Sequence, residues 1–329
     1  MQRIVTPSPF PCARTLALLL SAMGVGMVGC TPVDRGQVAP GNESGKPAVV
    51  ATSTIIADWA EEIGGDQIAL TSILQPGSDP HVYEPVPADS VAFEQADLIL
   101  YNGYNLEPGL IRLLNAAGAN AQHLAVGEVV PPLQLDKEGQ SVPDPHVWGD
   151  VSNGVPMVEA IRDALIDLAP DQAETFTANA AAYIEELNQL HDWIEAQTAT
   201  IPPNQRQLVT THDAFQYYAH AYGLTVAGTL IGISTEEQPS AQTVQQLVTV
   251  IRDLGVPAIF AETTLNPQLI TTVAQEAGVT LANQHLYADS IGEPGSEGDS
   301  YLHMMAANTR AIVENLGGTV TPSPIDPSP

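Results

Sequence analysis

The chain has 329 residues, 44% of them hydrophobic and 15% charged, with 38 acidic side chains against 10 basic ones and a formal net charge of −28. That length suits about two domains with cores of their own, and so negative a surface excludes phosphate backbones and anionic headgroups as partners. Only two cysteines occur, Cys12 and Cys30, so neither a disulfide framework nor a thiolate metal site is possible in the body, and the eight histidines become the place to look for chemistry.

The first 29 residues hold Arg3 and Arg14 and no acid, which leaves the rest at 38 acids against 8 bases, or −30. The apolar run 15–28 is shorter than the ~20 residues that span a bilayer and has the form of a signal-peptide core. It ends at Met27-Val28-Gly29-Cys30, which resembles a bacterial lipoprotein signal. Residues 1–29 are therefore read as a signal peptide and Cys30 as the acylated first residue of the mature chain. Residues 30–47, rich in Pro, Gly, Ser and Asn, read as a flexible tether, and 318–329 as a disordered tail.

Between them strand and helix patterns alternate. A β-type run at 48–52 precedes helical spacing through Ile55, Ile56, Trp59, Ala60 and Ile63, stopped by Gly64-Gly65. Strands follow at 68–74, 96–101 and 122–126, with helices at 110–117 and 158–168. The second half repeats the scheme: strands at 207–211, 225–230, 258–261 and 280–286, helices at 214–222, 241–254, 268–277 and 301–316. Such alternation predicts an α/β fold of two lobes, 48–169 and 204–317, each a parallel sheet flanked by helices. Joining them, Asp171 with Glu174 three residues on makes a capping box, and apolar spacing runs through Phe176, Tyr183, Leu187, Leu190 and Ile194 to Pro202-Pro203. One connecting helix over 170–203, with about 28 helical residues and roughly 42 Å long, is predicted, too stiff for a wide hinge.

The functional signal is a repeat. Asp79-Pro80-His81-Val82-Tyr83 returns as Asp144-Pro145-His146-Val147-Trp148, each in a loop. Proline fixes its own φ and extends the residue before it, so each His leaves a stiff backbone. Asp79 and Asp144 are placed to accept the spare imidazole N–H, as carboxylates beside metal ligands do, and the aromatics to keep water out. His81 and His146 are read as metal ligands. Two ligands do not hold a divalent ion tightly, so the second lobe must supply more, beyond the carboxyl ends of its strands. His212 and Asp289 stand there, with Glu262 a rival for the fourth place. His123, His191, His220, His285 and His303 lack such loops; His191 is read as a surface residue of the long helix.

These stretches, with Ala96-Asp97-Leu98-Ile99-Leu100-Tyr101-Asn102-Gly103, Thr211-His212-Asp213-Ala214-Phe215, Ala288-Asp289-Ser290 and Gly298-Asp299-Ser300-Tyr301, resemble the metal-specific (zinc or manganese) solute-binding lipoproteins of bacterial ABC transporters over 49–316. The resemblance implies two lobes on one long helix with the metal in the cleft, ligation by His81, His146, His212 and Asp289, a supporting place for Glu262, and a membrane permease as partner. It also implies a location in the periplasm, or on the outer face of the plasma membrane, through the Cys30 anchor; a monomer is expected. Three imidazoles and one carboxylate suit Zn2+, with Mn2+ the alternative because it prefers more oxygen. The stretch 129–143 lacks the histidine-rich loop of many zinc-binding relatives, which counts the other way. An enzyme is not expected, since a fourth protein ligand closes the position a catalytic zinc keeps for water. The competing readings are a zinc hydrolase with Glu84 or Glu262 as general base, and a surface adhesin or structural lipoprotein. The acidic loop 293–299 lacks the spacing of an EF-hand and reads as a solvated loop.

Overall fold

A computed structural model describes residues 45–325 apart from Ala119 and Glu138. The expected signal peptide, Cys30, most of the expected tether and the last four residues lie outside the described residues.

The first lobe is built on β1 (Ala48–Ala51), β2 (Ala69–Ser72), β3 (Leu98–Tyr101) and β4 (Gln122–Ala125), all parallel in the order β2-β1-β3-β4. Val49, Val50, Leu98, Ile99 and Leu100 are buried, as continuous apolar strands covered on both faces should be. Helices α1 (Thr54–Gly64), α2 (Pro87–Gln95), α3 (Pro108–Ala117) and α4 (Gly154–Leu168) cover the sheet. Ser53 caps α1 by accepting the Ile56 N–H, and Gly65, at φ +49°, ends it. Two elements have no counterpart in the sequence reading. Helix α2 buries little besides Phe93 and Asp89, so no apolar stripe announces it; Pro87 in its first turn and Asp89, which accepts the Val86 N–H at 2.8 Å, start it. The other is an antiparallel hairpin, β5 (Gln134–Lys137) and β6 (Gln140–Pro143), turned by Gly139 at φ +80°.

In the second lobe β7 (Gln207–Thr210) pairs with β8 (Thr225–Thr229) and β9 (Ala258–Ile259) with β10 (Thr280–Leu281), all parallel. The Phe260 N–H donates to the Val209 carbonyl at 3.0 Å and knits the two pairs together, giving the order β8-β7-β9-β10, the same succession as in the first lobe. The last strand is shorter than the 280–286 expected: after β10 only Leu286 bridges back, to Glu262. Helices α6 (Gln216–Tyr222), α7 (Ala241–Leu254), α8 (Gln268–Ala277) and α9 (Tyr301–Asn315) complete it, and the Tyr301 ring meets Trp59 of α1 edge-on at 4.9 Å.

The connector is α5 (Ala173–Thr198), 26 residues or about 39 Å. Its apolar spacing is as expected, with Phe176, Leu187, Leu190 and Ile194 fully buried. Its start differs. Pro170–Gln172 form a 3₁₀ turn closed by the Gln172 N–H on the Ala169 carbonyl, so the Asp171 box does not cap the helix. His191 is half-buried rather than a surface residue, its Nδ1 3.1 Å from the Tyr222 hydroxyl. The tail is not disordered over 319–325. Gly317, at φ +81°, turns the chain back over α5, where the Thr321 N–H donates to Gln197 Oε1 at 2.8 Å and Trp193 Nε1 donates to the Thr321 carbonyl at 3.3 Å.

Candidate metal centre

The four ligands proposed from sequence come together. His81 lies in the loop between β2 and α2, His146 in the turn after the hairpin, His212 two residues past β7, and Asp289 three residues past the Leu286 bridge. They are 3%, 0%, 0% and 1% exposed.

Each Asp-Pro-His loop folds around its aspartate, but the two differ in what that aspartate does. Asp144 Oδ1 accepts both the main-chain N–H of His146, at 3.0 Å, and its ring Nδ1, at 2.7 Å, so the proton sits on Nδ1 and the Nε2 lone pair is free for a cation. Asp79 Oδ1 accepts the main-chain N–H of His81 at 2.9 Å, while its Oδ2 accepts the Thr235 hydroxyl of the second lobe at 2.6 Å. Burial raises the Asp79 carboxyl above its ordinary range. The aromatics diverge as well. Trp148 packs edge-on to His146, with centroids 5.5 Å apart, and shields it as expected, whereas Tyr83 turns away to donate to Asp89 of α2.

Glu262 stands behind His212. It follows β9, at the crevice beside β7, and accepts the His212 N–H at 2.8 Å on one oxygen and the His212 ring Nδ1, in a short bond, on the other. Both imidazoles therefore present Nε2. The inward atoms lie close: His81 Nε2 to His146 Nε2 3.3 Å, Asp289 Oδ2 to His212 Nε2 3.2 Å and to His81 Nε2 3.7 Å, Asp289 Oδ1 to His146 Nε2 3.4 Å. Donors about 2.0–2.1 Å from a tetrahedral ion stand about 3.3 Å apart, close to these four separations, and all the donor atoms lie within 4.8 Å of one another. His212 Nε2 and both Asp289 oxygens are buried with no hydrogen-bond partner. Orphaned lone pairs pointing at one spot are unfavourable unless a cation fills it.

Electrostatics agree. Burial works to raise the Asp289 carboxyl, but the imidazoles of His212, His146 and His81 outweigh it and hold the group well below the usual carboxylate range. Burial pulls the His212 imidazole down, while the carboxylates of Glu262 and Asp289 on its two sides carry it well above its ordinary value. Both shifts favour positive charge at the point the four groups surround.

Behind the ligands lies a network that the pattern of the sequence did not reveal. The Asn102 amide, just past β3, donates to the Pro145 carbonyl at 2.9 Å and pins the His146 loop. Glu107, 1% exposed, accepts the Asn102 N–H at 2.6 Å and the Thr52 hydroxyl at 2.9 Å, and burial pushes its carboxyl up to about 7. Asn102 appears in the sequence only as part of a longer motif; nothing in its spacing marks it as an anchor. Of the four ligands, His81 lines an open cleft of about 500 Å³, with Tyr104, Glu128, Ile233 and Glu236 along its walls. Glu84 is exposed and Glu262 is engaged with His212, so neither is poised to activate a water.

The chain was compared with known proteins. A family model described as zinc-uptake complex component A, periplasmic, matches residues 49–315. The manganese-binding lipoprotein MntA of Halalkalibacterium halodurans is 37% identical over 290 residues, covering 88% of this chain and 93% of that protein. Among solved structures, the periplasmic zinc binding protein TroA from Treponema pallidum matches with a TM-score of 0.79 at 33% identity, over 83% of this chain and 99% of that one. Fe(III)-bound YtgA from Chlamydia trachomatis matches at 0.75 and 28%, over 84% and 100%.

Proposed function

The chain belongs to the family of zinc-uptake complex component A, periplasmic, the metal-binding components of ABC transporters, and on that premise we propose that it captures a divalent transition-metal ion outside the cytoplasmic membrane and passes it to a membrane permease. The observation that carries this is the set of four buried groups, the imidazoles of His81, His146 and His212 and the Asp289 carboxylate, whose donor atoms all lie within 4.8 Å of one another. The ion loses its water to side chains already in place, so little is spent on reorganisation. Four protein donors leave no position for a substrate water, which favours carriage over hydrolysis.

Zinc is the ion the donor set favours: borderline nitrogen ligands near tetrahedral spacing, and the higher place in the affinity order. One observation favours a second reading. Both Asp289 oxygens face the imidazoles, so a fifth donor is at hand for a larger, harder ion such as manganese, the metal named for the MntA relative. In this reading Cys30 carries the lipid, residues 30–47 tether the body to the outer face of the membrane, and the protein acts as a monomer.

The test is to express the chain from Thr31, strip it with chelator, and titrate zinc and manganese separately and in competition by calorimetry. One ion per chain, with zinc displacing manganese and His146→Ala abolishing both, is expected. No binding of either ion by the intact protein would overturn the reading.

A further inference from the structure

The loop that carries Asp289 follows the last strand of the second lobe, yet the residues on both sides of Asp289 are bonded to the first lobe. On one side the Trp148 indole N–H donates to the Ala288 carbonyl at 3.0 Å. Trp148 stands two residues past His146, and its own carbonyl accepts the Tyr301 hydroxyl at 2.7 Å. On the other side Ser290 Oγ accepts the Gly77 N–H at 2.8 Å, four residues ahead of His81, and lies 3.1 Å from the Thr54 hydroxyl at the start of α1. Thr54 Oγ1 also accepts the Ile291 N–H at 3.1 Å. Trp148 is 4% exposed and Ser290 1%, and the Trp148–Ala288 and Ser290–Thr54 bonds are buried, so bulk water competes little for those two. His212 is held differently. Its N–H and ring go to Glu262 and its carbonyl accepts the Thr210 hydroxyl, all within its own sheet.

We propose that Trp148 and Ser290 are positioning residues that fasten Asp289 to the first lobe, so that His81, His146 and Asp289 form one rigid three-ligand platform and His212 is the ligand that parts from the ion first. This rests on the metal-capture reading and adds to it an order of ligand exchange. A ligand fixed to its neighbours by buried bonds leaves the ion only when those bonds break too, whereas His212 moves with the end of β7 and its Glu262 support. Loss of one such bond of ordinary strength should speed release about fivefold.

Ser290→Ala is the least disruptive variant, and Trp148→Phe keeps the ring while removing the donor. Zn2+ release is timed by stopped flow against a chromogenic chelator, and the visible spectrum of the Co2+-loaded protein reports ligand geometry. Each variant should release zinc about fivefold faster than the intact protein, with a shifted Co2+ spectrum in addition to any fall in metal-free melting temperature that loss of a buried bond brings. Co2+ affinity should fall in the order intact protein, His212→Ala, Asp289→Ala, because only the last breaks the platform. Release and spectra matching the intact protein in both variants would overturn the proposal. So would a lowered metal-free melting temperature with an untouched spectrum, the mark of a merely structural role, or tighter Co2+ binding by Asp289→Ala than by His212→Ala. Intact protein that holds neither Zn2+ nor Co2+ would instead overturn the metal-capture reading, and this order of exchange with it.

Discussion

Replacing Glu262 by Gln changes one atom and tests the supporting role directly. The carboxylate accepts two bonds from His212, from its main-chain N–H at 2.8 Å and from its ring Nδ1. A glutamine oxygen can take over the first. The amide nitrogen then faces Nδ1 and can only donate, which draws the ring proton to Nε2, the atom that must hold the ion. Loss of a carboxylate behind a metal-ligating histidine weakens binding by about 10–100-fold, or roughly 1.4–2.8 kcal/mol. The tautomer inversion puts Glu262→Gln at the upper end, near 100-fold. Asp289→Ala removes a ligand and the negative charge facing the ion, and should cost more. Competitive titration of zinc against a fluorescent chelator at fixed pH measures both. A Glu262→Gln protein within threefold of the intact one would refute the supporting role, and one weaker than Asp289→Ala would make Glu262 the fourth ligand.

Because Glu262 and Asp289 raise the proton affinity of His212 in the metal-free pocket, metal uptake near pH 7 should release about one proton per ion, read as the dependence of calorimetric heat on buffer ionisation enthalpy. Affinity should fall as pH drops, because a protonated imidazole cannot hold the ion. Glu107 titrates the other way for stability. Its folded value near 7 lies above that of an exposed Glu, so the folded state binds the extra proton and stability declines as pH rises from about 4 to 7. Glu107→Gln should therefore gain melting temperature over the intact protein at pH 8 and not at pH 4. Truncation after Gly318 strips partners from Trp193 and Gln197 and should lower stability by about 1–3 kcal/mol in urea melts, with zinc affinity unchanged.

Much of the fold was legible because the central strands β1 and β3 are buried and apolar, and because α7 and α8 end at ordinary signals. Ser240 caps α7 at Ala241, and Gly255 and Gly278, both left-handed, stop α7 and α8. What failed to show was set by tertiary contacts. Helix α2 is held by Asp89 rather than by an apolar stripe, the tail by bonds to Trp193, Gln197 and Thr200, and the start of α5 by a 3₁₀ turn that takes up the N–H groups a cap would serve. The ligands themselves were legible in two ways. His81 and His146 announce themselves by a repeated rigid loop, while His212, Asp289 and Glu262 are marked only by standing past strand ends. Position alone cannot tell a ligand from its support; that depends on the His212 ring turning Nδ1 to Glu262 and Nε2 to Asp289.

The two sheets share one strand order, yet the site uses their crevices unequally. An open parallel sheet offers its ligand crevice where the order reverses, beyond the ends of the two central strands. In the second lobe those are β7 and β9, and the residues just past them are His212 and Glu262, the proposed ligand and its proposed support. In the first lobe they are β1 and β3, followed by Thr52 and Asn102, and there Glu107 bonds to both and closes the crevice. The first lobe's proposed ligands then come from elsewhere, from the loop after β2 and the turn after the hairpin, and each has its own rigid device, the Asp-Pro-His turn, because no strand end holds it. The closed crevice still serves the site, since Asn102 reaches from it to the Pro145 carbonyl. His81 and His146 thus owe their places to loop chemistry, and His212 owes its place to the sheet.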